Sequence, residues 1–277
     1  MADARPIGMF DSGIGGLTVA KELFACMPGE RIIYLGDMAR CPYGGRSEET
    51  IKAFGLQDAR FLTSKDIKML IVACNTVSSV ALDFIQKEIN EIPVIGVVTP
   101  GARAAISRTV SKRIGIIGTV ATIRTGSYEK EITRLDPTIK TYGKACPLFV
   151  PLVEEGLVDG DIARLVVQRY VYELINYGID CLILGCTHYP LLLEALQSAV
   201  GAGIQLLDSA YWTAREAKDI LTAMNMRNAE KAGGMGRSGF FVTDITEGFP
   251  KNASAFLGCP LPNIEKVKLE QLTKTVF

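Results

Sequence analysis

Short apolar runs rich in β-branched residues alternate along the chain with longer segments in which apolar residues recur every three or four positions. The first pattern predicts buried strands, and the second predicts amphipathic helices. The predicted strands are Ile7–Phe10, Ile32–Leu35, Met69–Ala73, Val94–Val98, Ile114–Ile117, Ile139–Ala145, Leu182–Leu184, Ile204–Leu207 and Phe240–Thr243. The predicted helices are Leu17–Cys26, Glu48–Ser64, Val77–Asn90, Thr125–Leu135, Asp161–Tyr177 and Ala210–Met224. This alternation is typical of an α/β fold, in which helices cover parallel sheets.

The chain also contains two versions of one pattern. Ile7–Ser12 resembles Ile114–Thr119 at an offset of 107 residues, and the apolar run that ends in Cys74 resembles the run that ends in Cys186 at an offset of 112. Two markers in the same order with nearly the same offset favour a duplicated α/β unit, although any two buried strands followed by turns look alike. The duplication predicts a first lobe of residues 1–98 and 208–277, a second lobe of residues 99–207, and a cleft between them.

Composition and charge narrow the class of protein. Of the 277 residues 48% are hydrophobic and 22% are charged, and 30 basic residues balance 30 acidic ones. This composition is typical of a soluble globular protein, and the lack of a basic run argues against nucleic acid as a partner. The apolar runs are only of strand length and Met1–Pro6 has no signal-peptide core, which argues against a membrane span or secretion. Seven cysteines, an odd number, favour a reducing cytoplasm over a disulfide framework.

The two repeated cysteines are the first candidates for chemistry. Cys74 and Cys186 follow equivalent buried strands, and the carboxyl ends of strands are where open α/β sheets place their active sites. A lone buried cysteine is most often a small packing residue, but two thiols from the two halves of a chain could face opposite sides of one small molecule. That arrangement points to removal and return of a proton on carbon, which is racemisation. Each thiol is followed by residues able to bind a carboxylate or to stabilise a thiolate, and a following helix would lower a thiol pKa: Asn75, Thr76, Thr187 and His188.

Two other interpretations of a cysteine beside a histidine stay open. A zinc site is disfavoured because the chain has no CxxC pair and only one histidine. In a cysteine–histidine hydrolase, the imidazole normally comes from a distant part of the chain. His188, two residues after Cys186, is better placed to polarise a substrate or to tune that thiol.

Three turns carry further candidates. The run Asp11–Gly16 follows a strand, but its glycines do not form the GxGxxG pattern of a dinucleotide site. Asp11 either caps a tight turn or meets a substrate ammonium and shuttles a proton. In the second turn, Gly44 allows the backbone beside Tyr43 to approach a ligand closely. In the third turn, Glu154 is either part of a solvated helix start or the acid that orients His188.

Together these motifs resemble those of the bacterial glutamate racemases, over essentially the whole chain. The segments that carry the resemblance are Phe10–Gly16, Pro42–Gly44, Ala73–Thr76, Pro151–Glu154 and Gly185–Pro190. The histidine after Cys186-Thr187 favours glutamate racemases over aspartate racemases, which resemble the chain more loosely. Cys41, before Pro42, departs from the residue types usual in that family.

The resemblance implies two pseudo-symmetric α/β parallel-sheet sandwich domains with the active site at their interface. It implies a reaction without cofactor, in which Cys74 takes the α-proton from D-glutamate and Cys186 takes it from L-glutamate. Asp11 would assist Cys74, and Glu154 and His188 would assist Cys186. The substrate-binding residues that it implies are Asp11, Ser12, Tyr43, Gly44, Asn75, Thr76, Thr187 and His188, with Thr119 and Thr122 also lining the pocket.

The same resemblance implies a cytoplasmic homodimer that supplies D-glutamate for peptidoglycan. Nothing in the sequence indicates a lysine-bound cofactor. Three alternatives stay open: a two-thiol racemase that acts on aspartate or a hydantoin, a binding protein that keeps the fold without catalysis, and a zinc hydrolase.

Overall fold

The computed structural model describes residues 3–273, which form two parallel β-sheets covered by helices. The first sheet contains β1 (Ile7–Asp11), β2 (Ile32–Gly36), β3 (Met69–Val72), β4 (Val94–Gly96), β9 (Gly239–Val242) and β10 (Ile264–Lys266). The second contains β5 (Arg113–Gly118), β6 (Lys140–Ala145), β7 (Cys181–Gly185) and β8 (Gln205–Asp208). We call the part of the chain built on the first sheet the first lobe, and the part built on the second sheet the second lobe.

The helices follow the strands in the alternation that the sequence predicts. They are α1 (Leu17–Cys26), α2 (Glu48–Thr63), α3 (Asn75–Val80), α4 (Leu82–Glu88), α5 (Val98–Arg108), α6 (Val120–Thr125), α7 (Ser127–Leu135), α8 (Phe149–Glu154), α9 (Gly160–Asn176), α10 (Leu193–Val200), α11 (Ser209–Ala223), α12 (Phe249–Leu257) and α13 (Leu269–Thr273). Short 3-10 turns lie at Met38–Arg40, Tyr189–Leu192 and Met235–Arg237. Among the helices of the described chain, none is both long and apolar enough to cross a membrane.

The two sheets repeat one strand order. The first runs β10-β9-β2-β1-β3-β4 and the second runs β6-β5-β7-β8, so that β1 and β3 in one sheet correspond to β5 and β7 in the other. All strand pairs are parallel. The prediction of an α/β fold with two pseudo-symmetric parallel sheets is therefore confirmed, and the segments after β3 and β7 occupy equivalent places.

The exact division into lobes stays a prediction. Strands of the first sheet come from residues 7–96 and 239–266, and strands of the second come from residues 113–208. The predicted first lobe also includes residues 1–2 and 274–277, which lie outside the described residues.

Two predicted elements differ in the structure. The predicted strand Val94–Val98 ends at Gly96, because Val98 already begins α5. Pro100 lies in the first turn of α5, where a missing backbone N–H breaks no helical hydrogen bond. The predicted helix Val77–Asn90 is two helices, α3 and α4, because the backbone leaves the helical region at Ala81.

A buried ion pair holds the start of β3. The Nζ of Lys68 lies 2.6 Å from Oε2 of Glu30, and both side chains are almost completely buried. Lys68 also donates hydrogen bonds of 2.8 Å to the carbonyl oxygens of Asp3 and Met226. The pair therefore joins the amino-terminal segment, the start of a central strand and the segment that follows α11.

We expect Lys68→Met to lower the free energy of unfolding by about 3–5 kcal/mol, because it leaves the Glu30 carboxylate buried without its cation. Methionine keeps most of the apolar stem, so lost packing contributes little. Urea denaturation followed by circular dichroism measures the change. The control is Arg164→Ala, which breaks the exposed pair with Asp161 on α9 and should stay within about 0.5 kcal/mol of the unaltered protein. Equal losses in the two variants would contradict this role of Lys68.

Candidate active site

A cavity of about 410 Å³ lies between the lobes, beside the segments that follow β1, β3 and β7. Most of the residues predicted for the site lie in the wall of this cavity. From the first lobe these are Ser12, Tyr43, Gly44, Cys74, Asn75 and Thr76. From the second lobe they are Thr119, Glu154, Cys186, Thr187 and His188. Asp11 and Thr122 lie behind the wall, each buried to about 1% exposure. The structure thus brings the two strand-end thiols to one cavity, one from each lobe.

Cys74 occupies the position just before α3, at the end of β3. Its thiol is buried and donates a hydrogen bond of 3.5 Å to Oγ of Ser12. Burial, and after it the charge of the Asp11 carboxylate, raise the pKa of this thiol to about 12. The sequence predicted a lowered value from the helix that follows, but the backbone N–H groups of Val77 and Ser12 do not outweigh burial. Cys74 therefore carries its proton at neutral pH.

Asp11 ends β1 and lies behind the wall near both thiol-bearing segments. Its Oδ2 accepts a hydrogen bond of 3.1 Å from the backbone N–H of Gly13, and no side chain caps α1, which begins at Leu17. Burial raises the pKa of Asp11, and the positive charge of His188 acts against this shift. A β-carbon at Gly15 would lie 2.6 Å from Nδ1 of His188, so the glycine lets this turn of the first lobe approach the second lobe closely.

His188 connects Cys186 to an acid. Its Nδ1 lies 3.9 Å from Sγ of Cys186, and its Nε2 lies 3.1 Å from Oε1 of Glu154, the last residue of α8. The ring of Phe256, from α12, packs edge-on against the imidazole at 5.0 Å. Burial by itself would lower the pKa of His188, but Cys186, Glu154 and Asp11 together raise it to about 10. The ring is therefore an imidazolium at neutral pH, which places a cation beside Cys186.

The hydroxyl of Tyr43 is held away from the cavity by buried acids. It donates to Oδ2 of Asp37 and lies 3.1 Å from Oδ2 of Asp58. Arg40 pairs with the same two carboxylates, at 2.5 Å from Asp37 and 2.9 Å from Asp58. This network was not predicted from the sequence. It leaves the ring of Tyr43 and the backbone of the turn, rather than the hydroxyl, to face a ligand.

Threonine hydroxyls link the lobes at the edge of the cavity. Oγ1 of Thr119 lies 3.0 Å from Oγ1 of Thr76 in the first lobe and 3.0 Å from Oγ1 of Thr122. Thr119 also accepts the backbone N–H of Thr122 at 3.2 Å and so caps α6. On the first-lobe side, the carbonyl oxygen of Gly44 accepts the N–H of Ala121 at 3.2 Å. These contacts fix the spacing of the two walls.

Two further thiols line the cavity. Cys146, which the sequence reasoning missed, follows β6, and Cys41 lies in the turn before Pro42. Burial raises the pKa of both thiols well above the ordinary value. The signal for Cys146 was present, since it too follows a predicted strand, but a proline rather than a polar residue comes after it. All seven cysteines are free.

The arrangement favours acid–base chemistry on a small polar ligand. Two thiols reach the cavity from different lobes, each beside a different charged partner, and hydroxyls and backbone N–H groups near strand ends can hold carboxylates. Within residues 3–273 there is no group of three or more His, Cys, Asp or Glu side chains that could hold a metal ion.

Known proteins resemble the chain along nearly its whole length. Residues 18–217 match the Asp/Glu/hydantoin racemase family. The glutamate racemase of Geobacter metallireducens is 45% identical over 266 residues, which is 96% of this chain and 97% of the relative. That of Chlorobaculum tepidum is 44% identical over 95% of this chain and 96% of the relative. The crystal structure of glutamate racemase from Francisella tularensis in complex with D-glutamate superposes with a TM-score of 0.91 at 39% identity, covering 97% of this chain and 99% of that one.

The protonation of His188 can be measured directly because it is the only histidine of the chain. We expect its imidazole NMR signals to stay at their protonated positions between pH 6 and 8 and to titrate with a midpoint near pH 10. Because the pKa is raised above the ordinary value of about 6.5, the stability that the charged ring adds is complete below that pH and is lost as the pH rises through about 10.

Glu154→Gln removes one of the groups that hold the proton on His188, so its titration midpoint should fall. Glu155→Gln, at the next position along the chain, is the matched control and should leave the midpoint unchanged. A midpoint at or below 6.5 in the unaltered protein would show that the acids and the thiol do not outweigh burial at this ring.

Proposed function

This chain belongs to the Asp/Glu/hydantoin racemase family and, within it, to the glutamate racemases, and we propose that it interconverts L- and D-glutamate by transferring the α-proton between two thiols without a cofactor. The observation that carries the mechanism is the placement of Cys74 and Cys186 on the wall of one cavity, one from each lobe. The D-glutamate bound in the Francisella tularensis relative supports glutamate as the ligand.

The reaction needs one base and one acid on opposite faces of the α-carbon. The thiolate of one cysteine removes the α-proton, and the electron pair of the broken C–H bond is held by the substrate carboxylate. The thiol of the other cysteine then delivers its proton to the opposite face, so the two sulfurs exchange protonation states in each turnover. The carbanion is stabilised by hydrogen-bond donors around the carboxylate in a site that excludes water.

The charges around the thiols favour one starting state. Cys74 is protonated, because burial and Asp11 raise its pKa to about 12. The sulfur of Cys186 lies 3.9 Å from Nδ1 of the charged His188 ring, and we propose that Cys186 acts as the base in this direction. This state suits removal of the proton from L-glutamate by Cys186 and its delivery by Cys74. Glu154 holds the proton on His188 and so acts on Cys186 through the ring.

The reverse direction starts from D-glutamate and needs Cys74 to lose its proton. The α-ammonium group of a bound amino acid would offset the negative charge of Asp11, which is one cause of the raised pKa of Cys74. Asp11 thereby keeps the proton on Cys74 when Cys74 acts as the acid, and its effect is offset by the substrate ammonium when Cys74 acts as the base. Hydroxyls and amide groups of the wall hold the two carboxylates of the substrate, and we assign this role to Ser12, Asn75, Thr76, Thr187 and His188, with the ring of Tyr43 and the backbone of Gly44 closing one side.

We expect Cys74→Ala and Cys186→Ala each to lower the rate of glutamate racemisation by at least about 100-fold, the range that a positioned acid or base contributes. The polarimetric or circular dichroism signal of L-glutamate is followed with dialysed enzyme, a metal chelator and no added pyridoxal phosphate. Cys259→Ala removes a thiol outside the cavity and should behave as the unaltered protein.

Retention of most turnover by either alanine variant would refute the two-thiol scheme. Faster exchange of the α-hydrogen of aspartate or a hydantoin in deuterated water would instead assign the site to another substrate.

We place the reaction in the cytoplasm, where its product supplies peptidoglycan synthesis. A bacterium without its own glutamate racemase should then grow without added D-glutamate when it expresses this chain, and should fail to grow with the Cys74→Ala variant.

We also propose that the protein is a homodimer that uses α9. One face of this helix exposes an apolar row of Ile162, Leu165 and Tyr172, between 56% and 70% exposed, and Leu148 lies beside Leu165 and Tyr172 at the same surface. An exposed apolar row of this kind is typical of an interface between subunits.

Sedimentation velocity tests this assignment. Leu165→Glu places a charge in the middle of the apolar row and should convert the dimer to a monomer. Val110→Glu, at an apolar residue that is 90% exposed elsewhere on the second lobe, is the control and should stay a dimer. A Leu165→Glu variant that remains dimeric would place the interface on another surface.

A further inference from the structure

A chain of buried hydrogen bonds joins the two thiol-bearing segments. The hydroxyl of Tyr128, on α7 of the second lobe, donates to Oδ1 of Asn75 at 2.7 Å. Nδ2 of Asn75 donates to Oγ of Ser209 at 3.5 Å, and that hydroxyl donates to the carbonyl oxygen of Leu184 at 3.4 Å. Asn75 directly follows Cys74, and Leu184 lies in β7, two residues before Cys186.

The ring of Tyr128 touches the second thiol-bearing segment as well. A β-carbon at Gly185, the residue before Cys186, would lie 3.3 Å from Cε2 of Tyr128. A β-carbon at Gly101, on α5, would lie 3.1 Å from Cε1 on the other edge of the ring. The fully buried ring is therefore packed between two glycines. Its edge reaches the residue before one thiol, while its hydroxyl reaches the residue after the other.

The direction of these hydrogen bonds fixes the orientation of the Asn75 amide. Burial raises the pKa of Tyr128 well above its ordinary value, so the phenol keeps its proton and donates it. In the structure Oδ1 of Asn75 accepts this proton, and Nδ2 points the other way, toward Ser209. Since one hydrogen of Nδ2 goes to Ser209, the second remains for a ligand in the cavity that Asn75 lines. A rotated amide would present its oxygen to the anionic substrate instead.

We propose that Tyr128 is a positioning residue for the two-thiol reaction: it orients Asn75 as a donor to a substrate carboxylate and fixes the segments of Cys74 and Cys186 relative to each other. This inference rests on the proposed function, because it assigns Tyr128 no chemistry of its own. Tyr128 does not line the cavity, so it acts only through the residues that it holds.

Tyr128→Phe removes the hydroxyl and keeps the ring between the two glycines. We expect kcat to fall about 10- to 100-fold, the loss that follows from a small misplacement of reacting groups. The kinetic isotope effect with α-deuterated glutamate should rise, because misaligned thiols make proton transfer more rate-limiting. Since the two enantiomers are equally stable, kcat/KM must fall by the same factor in both directions, which checks the measurement internally.

A double-mutant cycle tests whether Tyr128 acts through Asn75. Asn75→Ala should itself slow the reaction, and adding Tyr128→Phe to it should have little further effect, because the amide that the hydroxyl orients is gone. Ser238→Ala is the control for loss of a buried hydroxyl. Ser238 donates to the carbonyl oxygen of Gly234 at 2.8 Å and accepts the N–H of Ile32 at 2.9 Å, away from the cavity. Its loss should lower the melting temperature and leave kcat, KM and the isotope effect unchanged.

An unchanged kcat and isotope effect in Tyr128→Phe, or losses in the two single variants that simply multiply, would overturn the proposal. If Tyr128→Phe does not fold, Ser209→Ala decides the question, because it removes the other hydroxyl that contacts the Asn75 amide and the Tyr128 phenol, and it keeps the tyrosine with its own hydrogen bond to Asn75. The same rise in isotope effect supports the proposal, and its absence overturns it. An unaltered protein that does not racemise glutamate would refute the proposed function instead, so the two failures are distinguishable.

Discussion

Burial of ionisable groups at the strand ends is the constraint on which the site depends. A buried acid, thiol or imidazole favours its neutral form unless a partner holds the charge. Asp11 and Cys74 follow this rule, since burial raises the pKa of both. His188 departs from it because Cys186, Glu154 and Asp11 keep the ring charged. One thiol thus lies beside an acid and the other beside a cation, and in the proposed mechanism this difference prepares the two sulfurs for opposite roles.

The repeated scaffold explains why there are two thiols but not why they differ. β3 and β7 hold the same place in their sheets, so Cys74 and Cys186 follow equivalent strands. The charged partners do not repeat. Asp11 ends β1, whereas the equivalent strand β5 ends in Gly118, and the second lobe takes its acid, Glu154, from α8. The acid that we propose for each thiol therefore comes from a different kind of element in each lobe.

The sequence predicted the parts of the structure that a local pattern encodes. Central strands were predicted because they are buried on both faces and therefore form continuous apolar runs, as β1, β3 and β7 do. β10 was missed because all three of its residues are exposed at the edge of the sheet, which leaves no apolar signal. α5 was not predicted, and the predicted strand Val94–Val98 runs into the residue at which this helix begins, although Pro100 in the first turn is compatible with a helix.

At the site, too, local sequence patterns predicted some residues and not others: they predicted the two thiols but not the contact that we propose positions them. A cysteine after a buried strand is a local signal, whereas the contact between Tyr128 and Asn75 joins positions 53 residues apart. Together with the bonds of Thr76 to Thr119 and of Ser127 to Ser79, it ties α3 of the first lobe to α6 and α7 of the second. A motion that opens the cavity while keeping these bonds must turn about this contact. The residues beside Cys74 would then stay fixed to the second lobe, so the spacing of the two thiols depends on this contact.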